Sequence, residues 1–406
     1  AGAALVFPLL MLTQMMSAGG MGGGISSAIA RAVGGGRLAD AEALARHALV
    51  IALVFGAIFT AGVLAGGPWL YRAMGGREEA LRAALAYSNV LFAGAILLWL
   101  LNSLSNVLRG TGNMALPAAV LGFGTVGVMV VSPALIFGLG PIPPFGMAGA
   151  AAALVIHFAI GTAIVGGHLV LGRGLVRLRA GRLEWRYFAD ILKVGVYGIA
   201  TTLIANLAVA VATGFVGVYG VGALAGYGIG ARLEYMQIPI AFSFGAALVA
   251  MVGMNVGAGQ RRRAVHAAWA GALMVAGVTE VIGLAAALFP ISWLSLFTTD
   301  PHVIDAGATY FRIVGPFYGF LGLAMALYFA SQGTGRMNWP LAAGVIRFLV
   351  VAIAGAIVAN VLGAGLAAIF AVLSLALLLF GLVNAVPWFG RLRDPDWADR
   401  PQNTAR

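Results

Sequence analysis

Eleven separate stretches of this chain are each long enough and apolar enough to cross a lipid bilayer. They fall at about 3–30, 46–66, 83–108, 114–138, 147–171, 191–218, 221–255, 265–289, 306–331, 339–361 and 366–387. A spanning helix needs roughly 20 apolar residues. Hydrocarbon offers backbone groups no outside partner, so spans of this kind are helices. The whole chain is 61% hydrophobic and 9% charged, with a mean hydropathy of +0.98. A soluble domain carries about 25% charged residues. This chain has too few polar groups to cover a water-facing surface, so lipid covers it. The expected fold class is an all-α integral membrane protein.

The net charge of +11 raises the question of nucleic acid. The basic residues sit in short gaps between apolar runs, so no nucleic-acid partner is expected; the lipid bilayer is the partner. Their distribution sets an orientation, because cytoplasmic segments carry the excess of Lys and Arg. If the first span runs outside to inside, the outer segments hold only Arg72, Arg77 and Arg82. Arg232, Arg312 and Arg347 lie within spans, and the other basic residues fall inside. This places the carboxyl terminus in the cytoplasm, expected to be that of a bacterium, with the chain in the inner membrane. The absence of cysteine excludes disulfides and thiolate metal sites. The 59 glycines suit close packing of helices in lipid.

The chain repeats itself. Val33-Gly34-Gly35-Gly36 matches Val256-Gly257-Ala258-Gly259, and Gly110-Thr111-Gly112-Asn113-Met114 with Pro117 matches Gly333-Thr334-Gly335-Arg336-Met337 with Pro340. Gln14 matches Gln237, and Tyr87 matches Tyr310; all four matches have the offset 223. The spacing predicts two six-helix repeats of one orientation, related by an axis along the membrane normal. Subtracting the offset from the span 191–218 places the first helix of the first repeat before Ala1, so a preceding segment is expected. The predicted organisation is an amino-terminal bundle over 1–172, a cytoplasmic linker over 173–190, a second bundle over 191–389 and a cytoplasmic tail over 390–406. The linker pattern Leu175, Val176, Leu178, Leu183, Trp185, Tyr187 and Phe188 predicts a segment lying partly on the membrane surface.

These motifs carry a resemblance. Each half has a second helix ending in a Gly-rich turn before a polar stretch, GGGISSAIARAVGGG and GAALVAMVGMNVGAGQRRRA. Each also has a turn of the type GTGxMxxP, as GTGNMALP and GTGRMNWP. As a set, over about residues 3–389, they resemble the multidrug and toxic compound extrusion (MATE) family. The resemblance implies two six-helix bundles around a central cleft, alternating access, and export of small amphiphilic, often cationic compounds in exchange for protons or sodium. One branch of that family uses carboxylates in the seventh and tenth helices. The counterparts here have no acid inside the membrane, so that site does not carry over. Another branch uses an aspartate in the first helix, the one expected before Ala1.

Candidate coupling residues come instead from the cost of charge in lipid. A charge near the bilayer centre costs roughly 2.5–3.5 kcal/mol on insertion scales. Glu234 and Glu280 are the carboxylates deep in spans, and both are candidate cation-coupling residues. Glu234 shares a helical face with Tyr227, Gly230, Gln237 and Ala241, which suits a cleft wall. Arg232 lies about 200° around the helix from it and cannot simply pair with it. Glu280 sits among Ala276, Gly277, Gly283 and Ala287, a face that predicts close packing and a bond to a neighbouring backbone or to Arg312 or Arg347. Burial favours the neutral form of a carboxyl group, as proton exchange requires. Sodium would want roughly six oxygens, some from Asn206, Thr202 and Tyr235. Gln14, Gln237, Tyr235, Asn206, Asn102 and Tyr318 are candidate substrate or cleft residues, with interhelical hydrogen bonding or packing as the other reading for each.

The chain has no nucleophile constellation, and GTGNM and GTGRM lack the Lys-Ser/Thr of an ATP loop. The expectation is therefore not an enzyme, with no cofactor or metal, and a monomer. Two alternatives stand beside secondary efflux. A flippase for lipid-linked precursors would want several basic residues in its cavity. A non-transporting scaffold would need neither intramembrane glutamate.

Overall fold

The computed structural model describes residues 2–139 and 143–393. Among them the regular structure is helical, and each of the eleven apolar windows is one span. The first is α1 (Gly2–Gln14) and α2 (Gly22–Gly34), joined by a π-helical segment, Met15–Met21. Next come α3 (Leu38–Ala73) and a span bent by 48° at Gly94, made of α4 (Glu78–Ala93) and α5 (Ala95–Gly110). α6 (Ala115–Phe137), α7 (Met147–Val170), α8 (Trp185–Gly217), α9 (Val221–Gly257) and α10 (Arg261–Leu288) follow. A short α11 (Pro290–Leu294) precedes α12 (Pro301–Val314) and α13 (Tyr318–Thr334), which are separated by a 3-10 turn at Gly315–Phe317. α14 (Asn338–Leu349), with π-helical turns to Val361, and α15 (Leu366–Arg393) complete the chain. The predicted tail over 390–406 begins inside α15; residues 394–406 lie outside the described residues.

Two compact units, Ala1–Val196 and Tyr197–Arg406, divide the chain. Helix boundaries recur at the sequence offset: α3 and α10 start at Leu38 and Arg261, α4 and α12 at Glu78 and Pro301, α5 and α13 at Ala95 and Tyr318, α6 and α14 at Ala115 and Asn338, each 223 apart. In the first unit α5 packs on α2, α3 and α7, while α4 packs on α1, α3 and α7, and α6 on α7. In the second, α13 packs on α9, α10 and α15, while α12 packs on α9, α10 and α15, and α14 on α15. The same helices neighbour one another in each unit.

The repeated glycine motifs have a local cause. Gly112 and Gly335 have φ +86° and +74°, and Gly36 and Gly259 have φ +72° and +76°. That left-handed conformation favours glycine. At each turn the last carbonyls are closed in the same way. Gly112 N donates to Arg109 O and Asn113 N to Leu108 O; Gly335 N donates to Gln332 O and Arg336 N to Ser331 O. This is the double-bonded glycine cap that ends helices. Before the turn, the two helices nearly touch. A Cβ on Gly110 would lie 2.8 Å from Ser26 O, and one on Gly333 2.8 Å from Val249 O.

Residues 171–184, between α7 and α8, form a strap tied to α3 in the first unit. Arg46 donates to Arg179 O at 3.2 Å and to Arg182 O at 2.9 Å. Glu184 N donates to Nε2 of buried His47, whose Nδ1 meets Ala43 O. Tyr187 donates to Asp40, and Arg31 holds Asp190 at 2.6 Å while also bonding Ser27. Leu175, Leu183 and Trp185 are exposed, whereas Val176 and Tyr187 turn inward. The unit boundary at residue 196 falls inside α8, past the strap.

Candidate functional site

The second unit gathers charge and phenols around Glu234. Tyr227, Gly230, Glu234 and Gln237 lie on one face of α9, as their spacing predicts. The small residues of that face admit α12: a Cβ on Gly226 would meet Val303 O at 2.6 Å. Tyr310, fully buried on α12, donates its hydroxyl to Glu234 Oε2 at 3.0 Å. Tyr318, fully buried at the start of α13, donates to the Tyr310 hydroxyl at 3.4 Å. Tyr227 packs edge-on against Tyr310 and stacks with Phe370. From α14, Arg347 Nη2 reaches Glu234 Oε1 at 3.5 Å, with side-chain exposures of 15% for the arginine and 22% for the glutamate. The guanidinium also lies 5.2 Å from the Phe380 ring centre.

At that separation the attraction is about 5 kcal/mol for an effective dielectric near 20. Desolvation of several kcal/mol per ion opposes it. The pair therefore contributes little net stability, but each charge depends on the other to remain inside the bilayer. Arg347 is thus the partner of Glu234. The sequence offered it to Glu280, and the structure corrects that. Arg232 points elsewhere, with its guanidinium 5.4 Å from the Phe297 ring centre.

Glu280 has another occupation. The Gly315–Phe317 turn, containing Pro316, restarts the helix at Tyr318 and leaves its first N–H groups without an intrahelical acceptor. Glu280 Oε2 accepts from Gly319 N at 2.7 Å. A carboxylate at a helix N-terminus also suits the dipole there. Of the partners the sequence left open, the backbone is the one present.

The first unit brings Gln14 and Asn102 together. Asn102 Nδ2 donates to Gln14 Oε1 at 3.0 Å and to Ser17 Oγ at 2.7 Å. Asn106 Nδ2 donates to Asn102 O and to Ala18 O inside the π-helical segment. A π-helix widens the turn, and such turns recur at functional sites. Gln237, the repeat counterpart of Gln14, is buried with only a 3.4 Å bond to Leu233 O, and its Oε1 has no partner among the described residues. Tyr235 is 45% exposed beside Glu234. Asn206 bonds Thr202 O of its own helix, and Thr202 bonds Gly198 O.

Of the candidates, Glu234 and Tyr318 share a cluster through Tyr310, and Gln14 meets Asn102. Glu280 and Asn206 make their bonds elsewhere. Sequence reasoning missed Arg347 in this role, along with Tyr310, Ser17 and the π-helical segment. Tyr310 had one signal, its repeat match to Tyr87. Among the described residues no three His, Asp or Glu side chains gather as metal ligands would.

Comparisons with known proteins bear on this arrangement. The family model MatE matches residues 1–134 and 199–358. The chain is similar to a protein named FAD transporter from Shewanella oneidensis, 26% identical over 355 residues, covering 86% of this chain and 77% of that one. It is also similar to the probable multidrug resistance protein NorM of Thermotoga maritima, 26% identical over 328 residues, with 80% and 70% covered. Two solved structures share the fold. A MOP superfamily transporter from Pyrococcus furiosus, described as having a binding pocket of reverse polarity, superposes with a TM-score of 0.90 at 22% identity, covering 98% of this chain and 88% of that one. A MATE structure in the bent conformation superposes with a TM-score of 0.90 at 23% identity, covering 98% and 89%.

Proposed function

This chain belongs to the MatE family of multidrug transporters, and from that premise we propose that it is a secondary exporter in which Glu234 is the coupling carboxylate. It exchanges protons or sodium ions for amphiphilic organic cations by alternating access. It does so in a bacterial inner membrane, with its carboxyl terminus in the cytoplasm. The observation that carries this reading is the set of partners around Glu234. Its two oxygens are held by side chains from two other helices, Tyr310 and Arg347, whereas Glu280 holds a backbone N–H. A carboxylate held by side chains can change partners as it gains or loses a proton.

Glu234→Gln keeps size and hydrogen bonding and removes titration. In everted vesicles it is expected to abolish gradient-driven dye efflux at several pH values, at unchanged expression. Glu280→Gln keeps an acceptor for Gly319 N and is expected to transport. The reverse pattern exchanges the two roles. Normal transport by both variants places the coupling group outside this pair and sinks the assignment. The flippase reading is disfavoured, because only Arg347 of the three intramembrane arginines joins the cluster. The relative named a FAD transporter favours a substrate range wider than cations.

A further inference from the structure

We propose that Arg347 turns the Glu234 site into an anion-binding site when Glu234 is protonated, so that an aromatic amphiphile bearing a sulfonate, phosphate or carboxylate binds together with a proton instead of displacing one. This rests on Glu234 being the proton-loading group.

The geometry separates the two oxygens of the carboxyl group. Oε2 accepts from Tyr310, which is backed by Tyr318. A neutral carboxyl group still accepts there, so the phenols hold the side chain in place in both charge states. Oε1 faces Arg347. A proton on Oε1 cancels the charge that the guanidinium was neutralising and leaves an uncompensated cation inside the bilayer, which is costly. Arginine has five N–H donors in a fork suited to two oxygens of an anion. Only one is engaged with Glu234, at 3.5 Å; the others have no hydrogen-bond partner among the described residues. The Phe380 ring lies 5.2 Å from the guanidinium, and the buried rings of Tyr227 and Phe370 pack on Tyr310, which bonds the other oxygen of Glu234.

The ionisable groups around Glu234 are few. Arg347 approaches from α14, Tyr310 from α12 and Tyr318 from α13, while Tyr227 and Tyr235 lie on α9 itself, whose Arg232 is turned to the Phe297 ring. On α10, Glu280 is turned to Gly319 N, and α11 carries no ionisable residue. An anion competes with ionised Glu234 for Arg347, so its affinity falls as pH rises and its binding takes up a proton. A cation competes with Arg347 for ionised Glu234, so its binding releases one. Ligands of opposite charge therefore move protons in opposite directions at one site.

Calorimetry on the purified full chain in detergent, in buffers of different ionisation enthalpy, counts those protons. The probes are 2-naphthalenesulfonate, a permanent anion, and ethidium, a permanent cation. The anion is expected to bind with uptake of about one proton, and to weaken by up to about tenfold per pH unit as the pH is raised. Ethidium is expected to release protons. Glu234→Gln should bind the anion more tightly, without pH dependence or proton uptake. Arg347→Gln should lose anion binding. The double variant Glu234→Gln/Arg347→Gln, which leaves no unpaired carboxylate, should also bind no anion, and it serves if Arg347→Gln fails to fold. Unchanged anion binding in the arginine variants overturns the proposal and leaves Glu234 as the coupling group. Loss in the arginine variants with pH dependence persisting in Glu234→Gln overturns both, because the proton then sits elsewhere.

Discussion

Glu234 and Glu280 are the same residue type inside neighbouring apolar helices, and their neighbours give them different work. Glu280 closes a broken helix; Glu234 closes an ion pair. Replacing Glu280 with alanine removes a cap, with an expected loss of about 1 kcal/mol, whereas glutamine there keeps most of it. Replacing Arg347 with alanine strands the glutamate, with an expected loss of about 3–5 kcal/mol. Adding Glu234→Gln to it should restore much of that loss, and a double-mutant cycle of thermal unfolding in detergent measures the coupling. The two glutamates were legible in the sequence, because charge in lipid is expensive wherever it occurs. The Glu234–Arg347 pairing was not. The partners are 113 residues apart, and spans apolar on every side carry little periodic signal of which face turns inward. The face of α9 that carries Tyr227, Glu234 and Gln237 is the exception: its polar residues share one side by helical spacing, and Tyr227 and Gln237 are buried there.

At the scale of the element, the glycines separate into kinds that the sequence does not distinguish. Gly110→Ala puts a methyl group against Ser26 O and Ile29, an overpacking expected to cost about 1–3 kcal/mol. Gly335→Ala is strained for another reason, its φ of +74°, and is expected to cost about 1–2 kcal/mol. Gly127 on α6 has nothing within 4 Å of its added Cβ, so Gly127→Ala should be neutral or slightly stabilising. Melting curves of the three variants, followed by tryptophan fluorescence, test the order. The capped turns were legible because a left-handed turn demands glycine, so duplication preserved the letters. The π-helical segment at Met15–Met21 was not. Asn102 and Asn106 bond it from a helix 85 and 88 residues further along the chain, and its second-unit counterpart is ordinary α-helix.

For the whole molecule, the repeated helix boundaries and neighbours lead to the expectation that the two units superpose, with Gly110 on Gly333 and with one membrane orientation. A carboxyl-terminal fluorescent protein should fold and glow in the cytoplasm, while alkaline phosphatase fused there should stay inactive. The opposite result overturns the orientation. The strap over residues 171–184 also dictates how the gene can be divided. An irregular stretch between two bundles invites a cut, yet its backbone is gripped by Arg46 and His47, and Arg31 reaches past it to Asp190 at the head of α8. A fragment ending in the strap would leave Arg31 without its carboxylate and expose Gly24, against which the Ile191 carbonyl packs. A fragment starting at residue 197 would begin in mid-helix. Two co-expressed pieces should therefore reassemble only if they overlap, the first reading through residue 196 and the second beginning at Trp185.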